Sequence, residues 1–349
     1  MLDSQVRTFP ESTSTVPLLE AVHVEEIQDA AGSCIAIHWS FPLDSTCDDA
    51  RLFAFTRSRL CRDLTVIKGI GTETREKLKR RQVCSIADLQ YASNRAWRRQ
   101  AAQVMQWVRG KYAELLRATR RVKDIDLLFC FSPENVIYLD IETTGLVDAR
   151  VFAIALGMVS PGKKEFVIHQ FFARDCQEEY TILGKVHDIL ATSKCIVSFN
   201  GKAFDVPVLM SRFWYYFQVD DAGWARFHVD LMHDARRLLG LKKRERLSFY
   251  EAIATGNRRP FDVHSATIPG LYEEFIESSR APDFAGLLQQ ALDCSKPVAV
   301  NDAAGDDVIL IDMFRVIYHN MLDVKALHDI LVFLLHRIKD QAKQPRSKA

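Results

Sequence analysis

"VIYLDIETTGL", residues Val136–Leu146, is the stretch on which the reading of this chain turns. Its first four residues are strand formers, and Asp140 and Glu142 then interrupt the apolar run before Thr143-Thr144-Gly145 ends it. A carboxylate in a buried strand is costly unless something positive sits against it. Side chains alternate along a strand, so Asp140 and Glu142 project together while Ile141 enters the opposite side. Either the pair faces water at a strand end or it holds a cation.

Working outward, "NVIYLDI", "VFAIALGMV" and "EFVIHQFF" predict three strands on short connections, an antiparallel meander. A helix over about Glu178–Leu190, a strand at "CIVSF", a helix over Phe204–Phe213 and a short strand at "HVDLM" come next. Helical segments then run through Ala254, and a long apolar helix spans about Met313 to His336. Three meander strands followed by alternating helix and strand give an α/β fold, a ribonuclease-H-like mixed sheet flanked by helices.

The chain has 349 residues and a net charge of +1, which hides an asymmetry. Between Thr56 and Asp124 there are 18 Lys/Arg against 6 Asp/Glu, so the remainder is acidic. That pattern predicts a small, mostly helical basic module before the α/β domain, suited to a polyanion. In it, "LTVIKGIGTETREKLKRRQVCSIADLQYAS" leads through Gly69-Ile70-Gly71 into a helix with Leu78 inward. Ser85 and Asp88 read as a capping box, and Trp97, Ala101, Val104, Val108, Tyr112 and Leu115 predict one amphipathic helix over Asn94–Arg121. The expected division is an N-terminal segment over 1–55, disordered over 1–20; the basic module over 56–123; the α/β domain over 124–338; and a disordered tail over 339–349. "SCIAIHWSF" (Ser33–Phe41) reads as a strand without an assigned role, and 278–307 as an irregular insertion. No run suits a membrane span or a signal peptide. The 8 cysteines are scattered without a C-x-x-C pair, which points to reduced thiols and a cytoplasmic protein.

Two further elements can join the first acids. In "CIVSFNGKAFDVPVLMSRF", Asn200-Gly201 ends a strand and Asp205 opens the next helix, where an acid is also favoured simply by the helix dipole. In "YHNMLDV", His319 and Asp323 share one face of an otherwise apolar helix, and a His/Asp pair buried there needs a partner. If Asp140, Glu142, Asp205 and Asp323 converge, they form an oxygen-rich site for Mg²⁺ or Mn²⁺. Two such ions suit phosphodiester hydrolysis, with His319 as candidate general base. Thr143 and Asn200, beside the acids, are candidate substrate contacts. His228, Asp230, His233 and Asp234 read as a strand-to-helix element rather than a transition-metal site.

"LDIETTG", "FNGKAFDVPVL" and "HNMLD" resemble the three exonuclease motifs of the DEDD superfamily. The wording of "SFNGKAFDVPVLMSRF", "HVDLMHDARRLL", "LSFYEAI" and "IPGLYEEF" is similar to its YprB-like branch. The resemblance covers roughly Val136 to Leu335. It implies 3′→5′ exonuclease chemistry with two metal ions on Asp140, Glu142, Asp205 and Asp323. One departure stands out: His319 lies four residues before the last acid, where Tyr-type members carry tyrosine, whereas most His-type members place histidine five before it. Upstream, "VIKGIGTETREKLKRRQVCSIADL" resembles a helix–hairpin–helix module. Gly69 and Gly71 would expose backbone N–H groups to phosphate, and Lys68, Arg75 and Lys77 would add attraction to nucleic acid, DNA in preference to RNA. The competing expectations are a nucleic-acid-binding adaptor with an inert nuclease fold and a ribonuclease-H-type endonuclease.

Overall fold

The strands of the meander are β3 (Val136–Thr143), β4 (Val151–Val159) and β5 (Glu165–Phe172), paired antiparallel in the order of the chain. The computed structural model describes residues 19, 21–30, 32–44, 48–119, 121–259, 263–278, 283–293 and 306–343. A hairpin of β1 (Ala21–Asp29) and β2 (Gly32–Pro42) adds to the free edge of β5, while β6 (Cys195–Ser198) and β7 (His228–Asp230) add parallel to β3. The sheet is thus mixed and seven-stranded, in the order β1-β2-β5-β4-β3-β6-β7. The strand at Ser33–Phe41 now has a place: it inserts between β1 and β5, with Ile35, Ile37, Trp39 and Phe41 buried.

The helices are α1 (Asp49–Arg62), α2 (Thr72–Arg80), α3 (Arg95–Gly110), α4 (Ala113–Arg117), α5 (Glu179–Thr192), α6 (Asp205–Phe217), α7 (Leu231–Leu239), α8 (Leu247–Thr255), α9 (Ile268–Glu277), α10 (Phe284–Asp293) and α11 (Asp306–Lys343). The 38 residues of α11 cross β3, β4, β5 and β6 and also pack on α1 and α8. The approach of α11 is set by β4. Register pairs Tyr138 with Gly157, Asp140 with Ala155 and Glu142 with Ala153, so the acid-bearing face of β3 lies beside three small residues. A Cβ on Gly157 would come within 2.6 Å of Val324 on α11, so glycine there is what lets the helix come close.

Four expectations are corrected. The helix expected over Asn94–Arg121 breaks: Gly110 ends α3 and Lys111 takes a left-handed conformation (φ 53°). Tyr112 and Leu115, expected inward, are exposed, and Leu116 of α4 is buried instead. The expected irregular insertion holds α10, because Phe284, Leu288 and Leu292 recur on one face. Phe284 stacks on Phe172 with ring centroids 5.4 Å apart, and Gln289 accepts from the Val24 amide of the edge strand. The tail expected to be disordered from 339 is helical as far as Lys343, the end of α11. The expectations for 1–18 and 20, for 279–282 and 294–305, and for 344–349 lie outside the described residues. The capping box is present, with Asp88 accepting from the Cys84 and Ser85 amides at 2.8 Å each.

Candidate active site

Asp140, Glu142, Asp205, His319 and Asp323 line one cleft of about 740 Å³, together with Thr143 and Asn200. Each arrives for a local reason. Asp140 and Glu142 share the face of β3 that meets α11, and Ile141 between them is buried. Asp205 is the first residue of α6, and the Ile141 backbone of the acid-bearing strand favours its ionised form. The loop before it needs Gly201: a Cβ there would lie 2.3 Å from Ser198 Oγ and 3.2 Å from Asp205 Oδ2. Asn200 adopts φ 64°, and its N–H donates to Asp230 Oδ1 at 2.9 Å. Asp230 also caps α7 through the Met232 amide. His228 Nε2 lies 2.6 Å from Ser198 Oγ, so these residues brace the loop.

The electrostatics are those of crowded acids. Burial, then the charges of Asp323, Glu142 and Asp205, push Asp140 well above the usual carboxylate range. Burial, Asp323 and Asp205 do the same to Glu142. Asp205 is raised to about 7, by burial first and then by Asp230 and Asp323, against the pull of its backbone hydrogen bonds. Neighbouring carboxylates that disfavour each other's ionisation are short of positive charge.

Two features that the sequence reading missed organise this cluster. The first is a buried chain of hydrogen bonds. Trp39 Nε1 donates to Gln170 Oε1 (3.0 Å), Gln170 Nε2 donates to Asn320 Oδ1 (2.8 Å), and Asn320 Nδ2 donates to Asp140 Oδ2 (2.7 Å). All three supporting side chains are fully buried, so the orientation of Asp140 is fixed from β2 through β5 and α11. Gln170 carried a usable signal: it follows Phe166 and Ile168 on a buried strand face, where a lone amide needs a partner. The second is Arg259. Its Nη1 lies 2.5 Å from Asp323 Oδ1 and its Nε 2.6 Å from Glu251 Oε2, and its side chain is only 4% exposed. This is a positive partner for the His/Asp pair; His319 Nε2 lies 3.5 Å from Asp323 Oδ2. Nothing in the local sequence marks Arg259 as inward.

All-carboxylate oxygen suits a hard divalent cation, so the donor set fits Mg²⁺ or Mn²⁺. Among the described residues, no three His, Cys, Asp or Glu side chains are gathered as a ligating cluster. Asn320 holds one oxygen of Asp140, and the Arg259 guanidinium holds one of Asp323. Thr143 donates its hydroxyl to the Gly145 carbonyl at 2.7 Å. Tyr318, next to His319, packs edge-on to Trp39 instead of lining the cleft.

Lys68, Gly69, Gly71, Arg75 and Lys77 are not among the residues lining this cleft. The Lys68 amide donates to Gln100 Oε1 of α3 at 2.9 Å. Gly69 takes φ 89°, with its Cβ position 3.3 Å from Trp97 Nε1, and Gly71 caps α2. Arg75 pairs with Glu76, and Lys77 with Glu73, both on α2 itself. A separate depression of about 540 Å³ is lined by Gln90, Arg95, Arg98, Arg99 and Ala102, beside Tyr91, which is 90% exposed.

No curated protein sequence matches the chain. Residues 137–293 match the family model described as the RNase_H superfamily. The matched stretch runs from β3 through α10, so it takes in Asp140, Glu142, Asp205 and Arg259 and stops before α11 with His319 and Asp323. Sheet, helices and family match agree: the chain carries a ribonuclease-H-like domain.

Proposed function

We propose that the protein is a divalent-metal-dependent nuclease that hydrolyses phosphodiester bonds of nucleic acid, acting as a 3′→5′ exonuclease with DNA as its preferred substrate. The observation that carries this reading is the convergence of Asp140, Glu142, Asp205, Asp323 and His319 on one cleft of a ribonuclease-H-like domain. Polarity rests on the resemblance of the three motifs to the DEDD exonucleases, and the preference for DNA on the resemblance of residues 66–89 to a helix–hairpin–helix module.

Asp140, Glu142, Asp205 and Asp323 would hold two divalent cations, which supply charge neutralisation at the phosphate and a water of lowered pKa. The protein's own residues do the rest. Trp39, Gln170 and Asn320 hold one oxygen of Asp140 in a fixed orientation at the cleft wall. His319, which lines the cleft with its Nε2 near Asp323, accepts a proton from the attacking water. Thr143 and Asn200 border the acids and contact the bound strand. Arg95, Arg98 and Arg99, near Tyr91, supply sequence-independent attraction to the backbone. A cytoplasmic setting fits the unbonded Cys34, Cys61, Cys84, Cys130, Cys176 and Cys195. Among the described residues, no helix is long and apolar enough to cross a membrane.

The test is incubation with end-labelled DNA and RNA, blocked or free at the 3′ end, in Mg²⁺, Mn²⁺ or EDTA, with Asp140→Ala as control. Release of single nucleotides from a free 3′ end, abolished by EDTA and in the variant, is the expected result. Internal cuts on a blocked strand would replace this reading with an endonuclease. Binding without metal-dependent turnover would replace it with an adaptor.

A further inference from the structure

Arg259 stands among the acids with more hydrogen-bonding capacity than they use. Its Nε is held by Glu251 of α8 and its Nη1 by Asp323, while its Nη2 is buried with no hydrogen-bond partner among the described residues. A buried N–H without an acceptor is expensive and is seldom kept without a use. The planar fork of a guanidinium matches two oxygens of one phosphate, which a lysine ammonium does not. Asp323 is also one of the four acids proposed to hold a cation, and the guanidinium now occupies one of its oxygens.

We propose that Arg259 is a phosphate clasp for the nucleic-acid strand, an inference that rests on the nuclease reading above. In the metal-free protein its Nη1 neutralises Asp323. When Asp323 is taken up in holding a cation, Glu251 still anchors Nε, so the guanidinium keeps its plane and its place in the cleft wall. Nη1 and Nη2 then present two adjacent donors, and the group that brings two acceptors into this cleft is a phosphodiester of the bound strand. Arg259 thereby selects a charged linkage at the reacting position, a role distinct from general attraction by the basic module.

The test compares two fluorescent DNA oligonucleotides that differ only in the last 3′ linkage, a charged phosphorothioate or a neutral methylphosphonate. Kd is measured by anisotropy with Mn²⁺ and again in EDTA, for wild type, Arg259→Met and Arg259→Lys. With Mn²⁺, the wild type should prefer the charged linkage, and Arg259→Met should reduce that preference about tenfold, the worth of a charge-assisted pair. Arg259→Lys should fall between, and in EDTA the variants should differ little in preference. An unchanged preference in Arg259→Met, with tighter Mn²⁺ binding by electron paramagnetic resonance, would reduce Arg259 to a counter-ion and overturn the proposal. If Arg259→Met does not fold, Arg259→Lys carries the test, and full wild-type preference in it overturns the two-donor clasp. A wild type that degrades no nucleic acid yet keeps an Arg259-dependent preference would instead defeat the nuclease reading and leave the clasp standing.

Discussion

The acid cleft and the basic module treat charge in opposite ways. In the cleft, carboxylates from β3, α6 and α11 share one buried wall, and Asp140 and Glu142 are driven well up in pKa by burial and by the charge of neighbouring acids. In the module, Arg75 and Lys77 are paired near the surface with acids of their own helix. Low-dielectric surroundings make each charge in the first region consequential, while solvent and salt weaken each one in the second. The cleft should therefore respond to single substitutions by orders of magnitude, and the module only through sums of small effects.

The largest expected effect is on turnover. Asp140→Ala and Asp323→Ala should each lower Mg²⁺-dependent hydrolysis by about 10³-fold or more, with circular dichroism and nucleic-acid affinity largely kept. Full activity in either variant would break the contrast at its strong end. Next is Asn320→Leu, which removes the donor to Asp140 without touching substrate. Activity or metal affinity should fall by about 10–100-fold. Gln170→Leu should move in the same direction, because Asn320 Oδ1 then loses its donor. An Asn320→Leu enzyme with wild-type metal affinity and rate would show that the relay is only packing.

Stability should change in the opposite sense. Asp205 has its folded pKa raised to about 7 from an ordinary value of 3.8, so the folded state binds its proton more readily than the unfolded chain. Its favourable contribution is complete below pH 3.8 and is lost as pH rises through about 7. Asp205→Asn in EDTA at pH 8 should therefore melt higher, on the order of 5 °C, with the gap closing as pH falls. Reading the difference between the two proteins removes the contribution of His169 and His228. Burial first lowers these to about 4 and about 3, so their stabilisation is lost as pH falls below about 6.5. A lower melting temperature for Asp205→Asn at pH 8 would mean that the acids do not repel. The smallest effect is expected in the module. Arg95→Ala and Arg99→Ala should weaken binding modestly and each reduce the slope of log K against log salt by about 1, leaving the rate at saturating substrate unchanged.

What could be read in advance follows the same division. The sheet was legible because its strands are short apolar runs, and the acids because each broke a pattern: Asp140 and Glu142 a strand, Asp323 an apolar helix. The element order could not place β2, since pairing across more than 120 residues to β5 leaves no local mark. Arg259 was hidden for a related reason. It lies in "TGNRRPFDVH" beside Arg258, and ion pairs to Glu251 of α8 and to Asp323 on a distant helix separate the buried arginine from the exposed one. In the module, composition disclosed the charge but not its pairing. The arginines of α3 line a depression, whereas Arg75 and Lys77 are already satisfied.

The most direct measurement is Mn²⁺ titration of wild type and of the Asp140→Asn, Asp205→Asn and Asp323→Asn proteins, followed by electron paramagnetic resonance. Two bound ions in the wild type, with affinity or occupancy reduced in every variant, is the result that follows from acids sharing one site. Equal Mn²⁺ binding in all four proteins would contradict it.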